Sequence, residues 1–168
     1  MKIIALDISY RKPIAAACVS ARGKLLWTGL VSPQKDIYTT VNAILDQILR
    51  VGPKILVVAE TPLMINNMNT AYVMARMHGM LEKGVRDGGL LFFGVHPRAW
   101  QSWMLKLSSP ADPDVNRKKA SMEAAKLFTG AYPDNHDIAD AINLARFAHV
   151  KRREILISLR GGGKFSER

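Results

Sequence analysis

Four carboxylates in this chain stand where burial would make a charge expensive: Asp7, Glu60, Asp137 and Asp140. Asp7 interrupts the apolar run KIIALDIS, on the strand face of Ile3, Ala5 and Ser9, and Glu60 ends the run KILVVAE. Asp137 and Asp140 lie three apart in HDIADAINLA, where Ile138, Ala141, Ile142 and Ala145 follow the i, i+3, i+4, i+7 spacing of a buried helical face. Residues three apart are neighbours on a helix surface, so these like charges repel. No lysine or arginine stands close by in either strand to pair the acids locally. Each acid alone has a plain role: Asp7 in a turn, Glu60 at a wet strand end, Asp137 as a first-turn acid favoured by the helix dipole. The set is harder to dismiss, because a charge near a core must be paired or bound to metal. Hard divalent cations take oxygen ligands, and Mg²⁺ is usually held by few carboxylates plus water and substrate phosphate. Two such ions can activate water and stabilise the attacking and leaving oxygens of an in-line phosphoryl displacement.

The elements that must position these acids are legible along the chain. KIIALDIS, IAAACVS and LLWTGLV are short β-rich runs joined by the turns YRKP and ARGK, which predicts an antiparallel meander. IYTTVNAILDQILRVG has helical period with Gly52 as its stop, and KILVVAE (54–60) is a buried strand. A helix from about Met68 to Lys83, a buried strand LLFFGVH (90–96) and a short helix opened by Pro97 come next. SSPADPDV reads as a polar loop, NRKKASMEAAKLF as a helix capped by Asn116, and the aspartate pair opens the last helix. This order predicts an α/β fold with a mixed five-stranded, ribonuclease H-like sheet. Three antiparallel strands lead, two parallel strands are added through right-handed crossovers, and helices flank both faces.

At 168 residues the chain fits one domain, read as 1–150, with a basic, Gly-containing and mobile tail at 151–168. Its apolar runs are too short for a membrane span, Asp7 breaks any signal-peptide core, and the lone Cys18 suits a reducing compartment. A cytoplasmic protein with no membrane partner is expected. The formal net charge of +10 suggests a polyanionic partner, with nucleic acid the commonest. Residues 146–168 alone hold seven Lys/Arg and two Glu.

Asp on the first strand, Glu ending the fourth, and the late DIADAINLA together resemble the RuvC family of Holliday-junction resolvases. The likeness covers about residues 1–150, and is closer to small phage or divergent members than to the common bacterial enzyme. It implies a dimeric, Mg²⁺-dependent crossover junction endodeoxyribonuclease, acting in a bacterial or phage-infected cell. It also implies that Asp7, Glu60, Asp137 and Asp140 hold two Mg²⁺ ions, with Mn²⁺ able to substitute and no small-molecule cofactor. HPRAWQ and the basic NRKKA extend the likeness, placing Arg117, Lys118 and Lys119 near DNA phosphates; spacing does not choose between the two lysines. Two departures stand out. DISY replaces the D-P-G turn common in the family, and Leu63 with Met64 occupies the place of a base-wedging aromatic.

Other residues carry weaker signals. Met68, Met74, Met77 and Met80, with Tyr72 and Gly79, favour core packing over a self-pairing face. His136 is either a surface histidine or an aid to water activation or phosphate contact. Trp100 and Trp103 favour core packing, and Cys18 reads as a small buried residue. The leading expectation is a nuclease that resolves four-way DNA junctions by paired nicks. A same-fold nuclease acting on flaps, Y-structures or RNA, and a non-catalytic junction binder, are the alternatives. An actin-like ATPase is excluded for want of a second lobe and phosphate loop.

Overall fold

The computed structural model describes residues 1–62, 67–107 and 117–161. Along the chain run β1 (Lys2–Asp7), β2 (Ile14–Val19), β3 (Leu25–Val31), α1 (Ile37–Arg50), β4 (Ile55–Glu60) and α2 (Met68–Asp87). There follow β5 (Leu91–Val95), α3 (Pro97–Leu107), α4 (Arg117–Thr129), α5 (His136–Val150) and α6 (Arg152–Gly161). The sheet order is β3-β2-β1-β4-β5, antiparallel across β1, β2 and β3 and parallel across β1, β4 and β5. This is the ribonuclease H-like mixed sheet that the sequence predicts.

Strand alternation divides the interior in two. Ile4, Leu6, Val57 and Ala59 face one way and pack with Val41, Ile44, Met77 and Leu81 of α1 and α2. Ile3, Ala5, Leu56 and Val58 face the other way, into a core built with α3, α4, α5 and α6. Ala5, Ala15 and Ala17 on the sheet meet Ala141, Ala145 and Ala148 in that second core. Small residues on both sides let a helix lie close to a sheet, and α5 crosses β1 and β2 there. The sequence predicts one buried stripe for α5, but nine of its fifteen residues are buried, including Asn143. The reason is its central position: sheet, α3, α4 and α6 all pack against it.

The helix boundaries follow local chemistry. Asp36 caps α1, its side chain accepting from the Thr39 N–H, and Gly52 ends that helix with φ of +112°. Asn135 caps α5 in the same way through the Ile138 N–H at 2.9 Å. Residues 152–161, within the basic tail expected from residue 151, form α6. Ile155 is fully buried and Leu159 packs beside it against the α5 side of the core.

Among the α2 methionines, Met77 is buried and Met74 and Met80 lean on the first core, as core packing requires. Met68 and Tyr72 are exposed. Cys18 and Trp100 are buried as expected. No helix among the described residues is long and apolar enough to cross a membrane. Leu63, Met64, the 108–115 loop and the Asn116 cap lie outside the described residues.

Candidate active site

Strand parity aims two of the acids at α5. Asp7 continues the face of Ile3 and Ala5, and Glu60 that of Leu56 and Val58. The β1–β4 register runs from Lys2–Ile55 to Leu6–Ala59, so Asp7 and Glu60 occupy the next position of adjacent parallel strands. Both stand at strand C-terminal ends, where open α/β sheets form their ligand crevices. Asp137 and Asp140 arrive on the first turns of α5.

Electrostatics tie the four together. Asp7 is pushed up to about 8, first by burial, then by the charges of Glu60, Asp140 and Asp137, with Lys12 opposing. Burial also raises Glu60 and Asp140, and each of these two is raised further by a neighbouring carboxylate. Negative charge is therefore concentrated here beyond what the local cations offset.

Three of the acids have protein partners, two of them from other elements. The Trp100 indole N–H donates to Glu60 Oε1, which favours the ionised carboxylate. The Ser121 hydroxyl donates to Asp140 Oδ1 with the same effect. His136 Nε2 lies 3.1 Å from Asp137 Oδ1, and the His136 charge also favours ionised Asp140. Behind Ser121 stands Asn143, whose side-chain amide donates to the Ser121 hydroxyl and backbone oxygens, both at 2.9 Å. A signal for Asn143 is present in the sequence: it is the one polar residue in AINLA, three positions after Asp140. Trp100 and Ser121 come from other elements, and no spacing reveals them.

The donor set suits a hard cation, since all four candidate ligands are carboxylates. As the side chains lie, no three His, Cys, Asp or Glu residues among the described ones are grouped to hold an ion. Trp100, Ser121 and His136 contact three of the acids in this arrangement.

Around the acids runs a groove. A cleft of about 690 Å³ opens beside Glu60, walled by Thr61, Pro62, Met74, Arg98, Gln101 and Arg117. Gln101 and Arg117 also border a pocket of about 60 Å³ that holds Trp100, Lys118 and Asp140. On the other side, Ile8 and Met74 continue into a hollow of about 350 Å³ under Tyr10, Arg11 and Lys12. Arg117, Lys118 and Lys119 are all exposed at the start of α4. Of the two lysines left open by spacing, Lys118 is the one whose charge favours ionised Asp140. Arg98, Arg11 and Lys12 add cations along the groove that the sequence pattern does not single out.

No family profile and no curated protein sequence matches this chain. Solved structures do. The chain resembles Thermus thermophilus RuvC in complex with a Holliday junction substrate, with a TM-score of 0.71 and 15% identity. That match covers 91% of this chain and 95% of the other. A second Thermus thermophilus RuvC structure matches with a TM-score of 0.70 and 16% identity, over 91% and 96% of the two chains. Backbone agreement of that extent at such low identity establishes a RuvC-like, ribonuclease H-like fold for this chain.

Proposed function

We propose that this chain is a Mg²⁺-dependent endonuclease that resolves four-way DNA junctions by paired nicks. One observation carries the proposal: four carboxylates from β1, β4 and α5 share one electrostatic neighbourhood at the C-terminal edge of the sheet, and burial and mutual repulsion raise three of them. Two divalent ions would be held by Asp7, Glu60, Asp137 and Asp140. When bound, they supply water activation and charge stabilisation at the attacking and leaving oxygens of a phosphodiester.

The remaining work falls to the protein. Trp100 and Ser121 donate to Glu60 and Asp140 and favour their ionised forms against the effect of burial. His136 orients Asp137. Arg98 and Arg117 line the cleft beside Glu60, Lys118 lines the pocket beside Asp140, and all three would neutralise phosphates there. Leu63 and Met64 would meet bases. The net charge of +10 supports a nucleic-acid substrate, and the matching Thermus RuvC was solved on a Holliday junction. Paired nicks call for two active sites related by a twofold axis, hence a homodimer. The exposed Met68 and Tyr72 of α2 are a surface available for it.

Phosphate contacts have a measurable signature. Arg117→Gln and Lys118→Gln should each weaken junction binding across all sequences. Each should also lower the slope of log affinity against log salt by about 1. Fluorescence anisotropy in Ca²⁺, over a series of salt concentrations, measures both. An unchanged slope in either variant removes that residue from the phosphate contacts. Gel mapping of products from a four-way junction, a flap, a duplex and an RNA–DNA hybrid, with and without Mg²⁺, tests the substrate. Cleavage confined to flaps or hybrids would reassign it, and no cleavage of any would remove the nuclease reading.

A further inference from the structure

We infer that Ser121 and Asn143 form a buried hydrogen-bond relay that positions Asp140 and so sets the affinity of the carboxylate cluster for a divalent cation. The inference rests on the metal-binding reading given above.

Asn143 and Ser121 are 1% and 2% exposed, so neither exchanges partners with bulk water. The two protons of the Asn143 amide lie near three acceptors: the Ser121 backbone oxygen at 2.9 Å, Ser121 Oγ at 2.9 Å, and Met104 Sδ at 3.6 Å. A serine hydroxyl has one proton of its own and can also accept. Once its oxygen receives the Asn143 N–H, its own proton must point elsewhere, and it donates to Asp140 Oδ1. Without Asn143 the hydroxyl is free to rotate. With it, the donor is fixed on the carboxylate.

The relay also spans two elements. It leaves α5 at Asn143, crosses to α4 at Ser121, and returns to α5 at Asp140. Helix α4 is the element that opens with Arg117 and Lys118, so the same bonds fix the carboxylate relative to the cations facing it. Packing alone does not account for Asn143. Its carbonyl oxygen is buried with no hydrogen-bond partner, and its neighbours Ile142 and Leu144 show that apolar side chains fit this part of α5. A metal ligand held by a second residue in this way is a recurrent device, and losing the second residue typically weakens metal binding 10- to 100-fold.

Calorimetric titration of the full-length protein with Mn²⁺, alongside its thermal midpoint, tests the relay without recourse to turnover. Ser121→Ala and Asn143→Leu should each weaken Mn²⁺ binding by about 10-fold. Asn143→Leu gives up two hydrogen bonds to Ser121 together with an unpartnered buried oxygen, so it should stay folded with a melting point close to the native one. If the leucine is too large to fold, Asn143→Ala serves the same comparison. Because Asn143 acts through Ser121, the double variant should bind Mn²⁺ no more weakly than Ser121→Ala alone. Native-like affinity in Ser121→Ala, or losses that multiply in the double variant, would overturn the relay. If Asp140→Asn loses Mn²⁺ while both relay variants keep it, only the relay fails. If the native protein binds no Mn²⁺, the metal reading itself falls and takes the relay with it.

Discussion

Replacing Asp7 by asparagine is expected to stabilise the protein at neutral pH and to abolish cleavage. The side chain is held up to about 8 against 3.8 for a free aspartate, mainly by burial. A carboxyl with a raised folded value binds its proton more tightly folded than unfolded. Its contribution to stability is therefore fully present below pH 4 and is lost as pH rises from about 4 to about 8. Glu60 and Asp140 are raised as well and steepen the same loss. Asp7→Asn keeps the shape of the side chain and removes the ionisable group, so no proton need be taken up on folding. At pH 7.5 it should gain about 2–4 kcal/mol, a part of what so large a rise in proton affinity on folding implies. The melting point should rise by roughly 5–12 °C in a chain of this size. At pH 4 the gap should largely close. Added Mg²⁺ should raise the melting point of the native protein, as a ligand of the folded state does, and do little for the variant. Cleavage of a four-way junction should fall by about 1000-fold or more, on the order of 4 kcal/mol in the barrier. Calorimetric melts at the two pH values, beside single-turnover cleavage, check both halves. A variant that melts below the native protein at pH 7.5 would contradict the charge-crowding account.

Trp100 joins packing to the site, and two substitutions separate those roles. Its ring is 1% exposed in the core shared by Met104, Ala124 and Ile138, while its N–H reaches Glu60. Trp100→Ala leaves a large cavity and should cost about 3–5 kcal/mol of stability. Trp100→Phe keeps most of the ring and loses the donor, so it should cost about 1–2 kcal/mol. Its cleavage rate should nevertheless drop about 10- to 100-fold, because Glu60 loses the group that holds it. Trp103 is the control: it packs edge-on against Phe147, with ring centroids 5.7 Å apart. Urea melts and single-turnover rates of Trp100→Phe and Trp103→Phe make the comparison. Equal activity in the two would reduce Trp100 to packing.

The strands are readable in the sequence because their apolar runs are short, β-rich and bounded by turn residues. KIIALD, IAAACV, LLWTGLV, ILVVAE and LFFGV all form strands within a residue or two of expectation. Strand direction follows from connection length, short turns joining the antiparallel strands and helical crossovers the parallel ones. Asp7, Glu60, Asp137 and Asp140 can be picked out because each breaks or crowds an apolar pattern. The groups that hold them cannot. Trp100 is forty residues from Glu60 and Ser121 nineteen from Asp140, so only tertiary packing brings them together. Periodicity understates the burial of α5 for the same reason: it reports one buried face, whereas neighbours on several sides bury the rest. Helix α6 is hidden in the sequence because its basic residues outweigh the two apolar side chains, Ile155 and Leu159, that anchor it.

The central claim is that Asp7, Glu60, Asp137 and Asp140 form one metal-dependent centre for cutting branched DNA. The most direct test incubates the native protein and its four single Asn or Gln variants with a fixed, end-labelled four-way junction. Each is assayed with Mg²⁺ and with EDTA, and junction binding is measured in parallel. Symmetric nicks in opposing strands are expected with Mg²⁺, none with EDTA, and a loss of about 1000-fold or more in every variant that still binds the junction. Cleavage at the native rate by Asp140→Asn, or nicks that persist in EDTA, would contradict it.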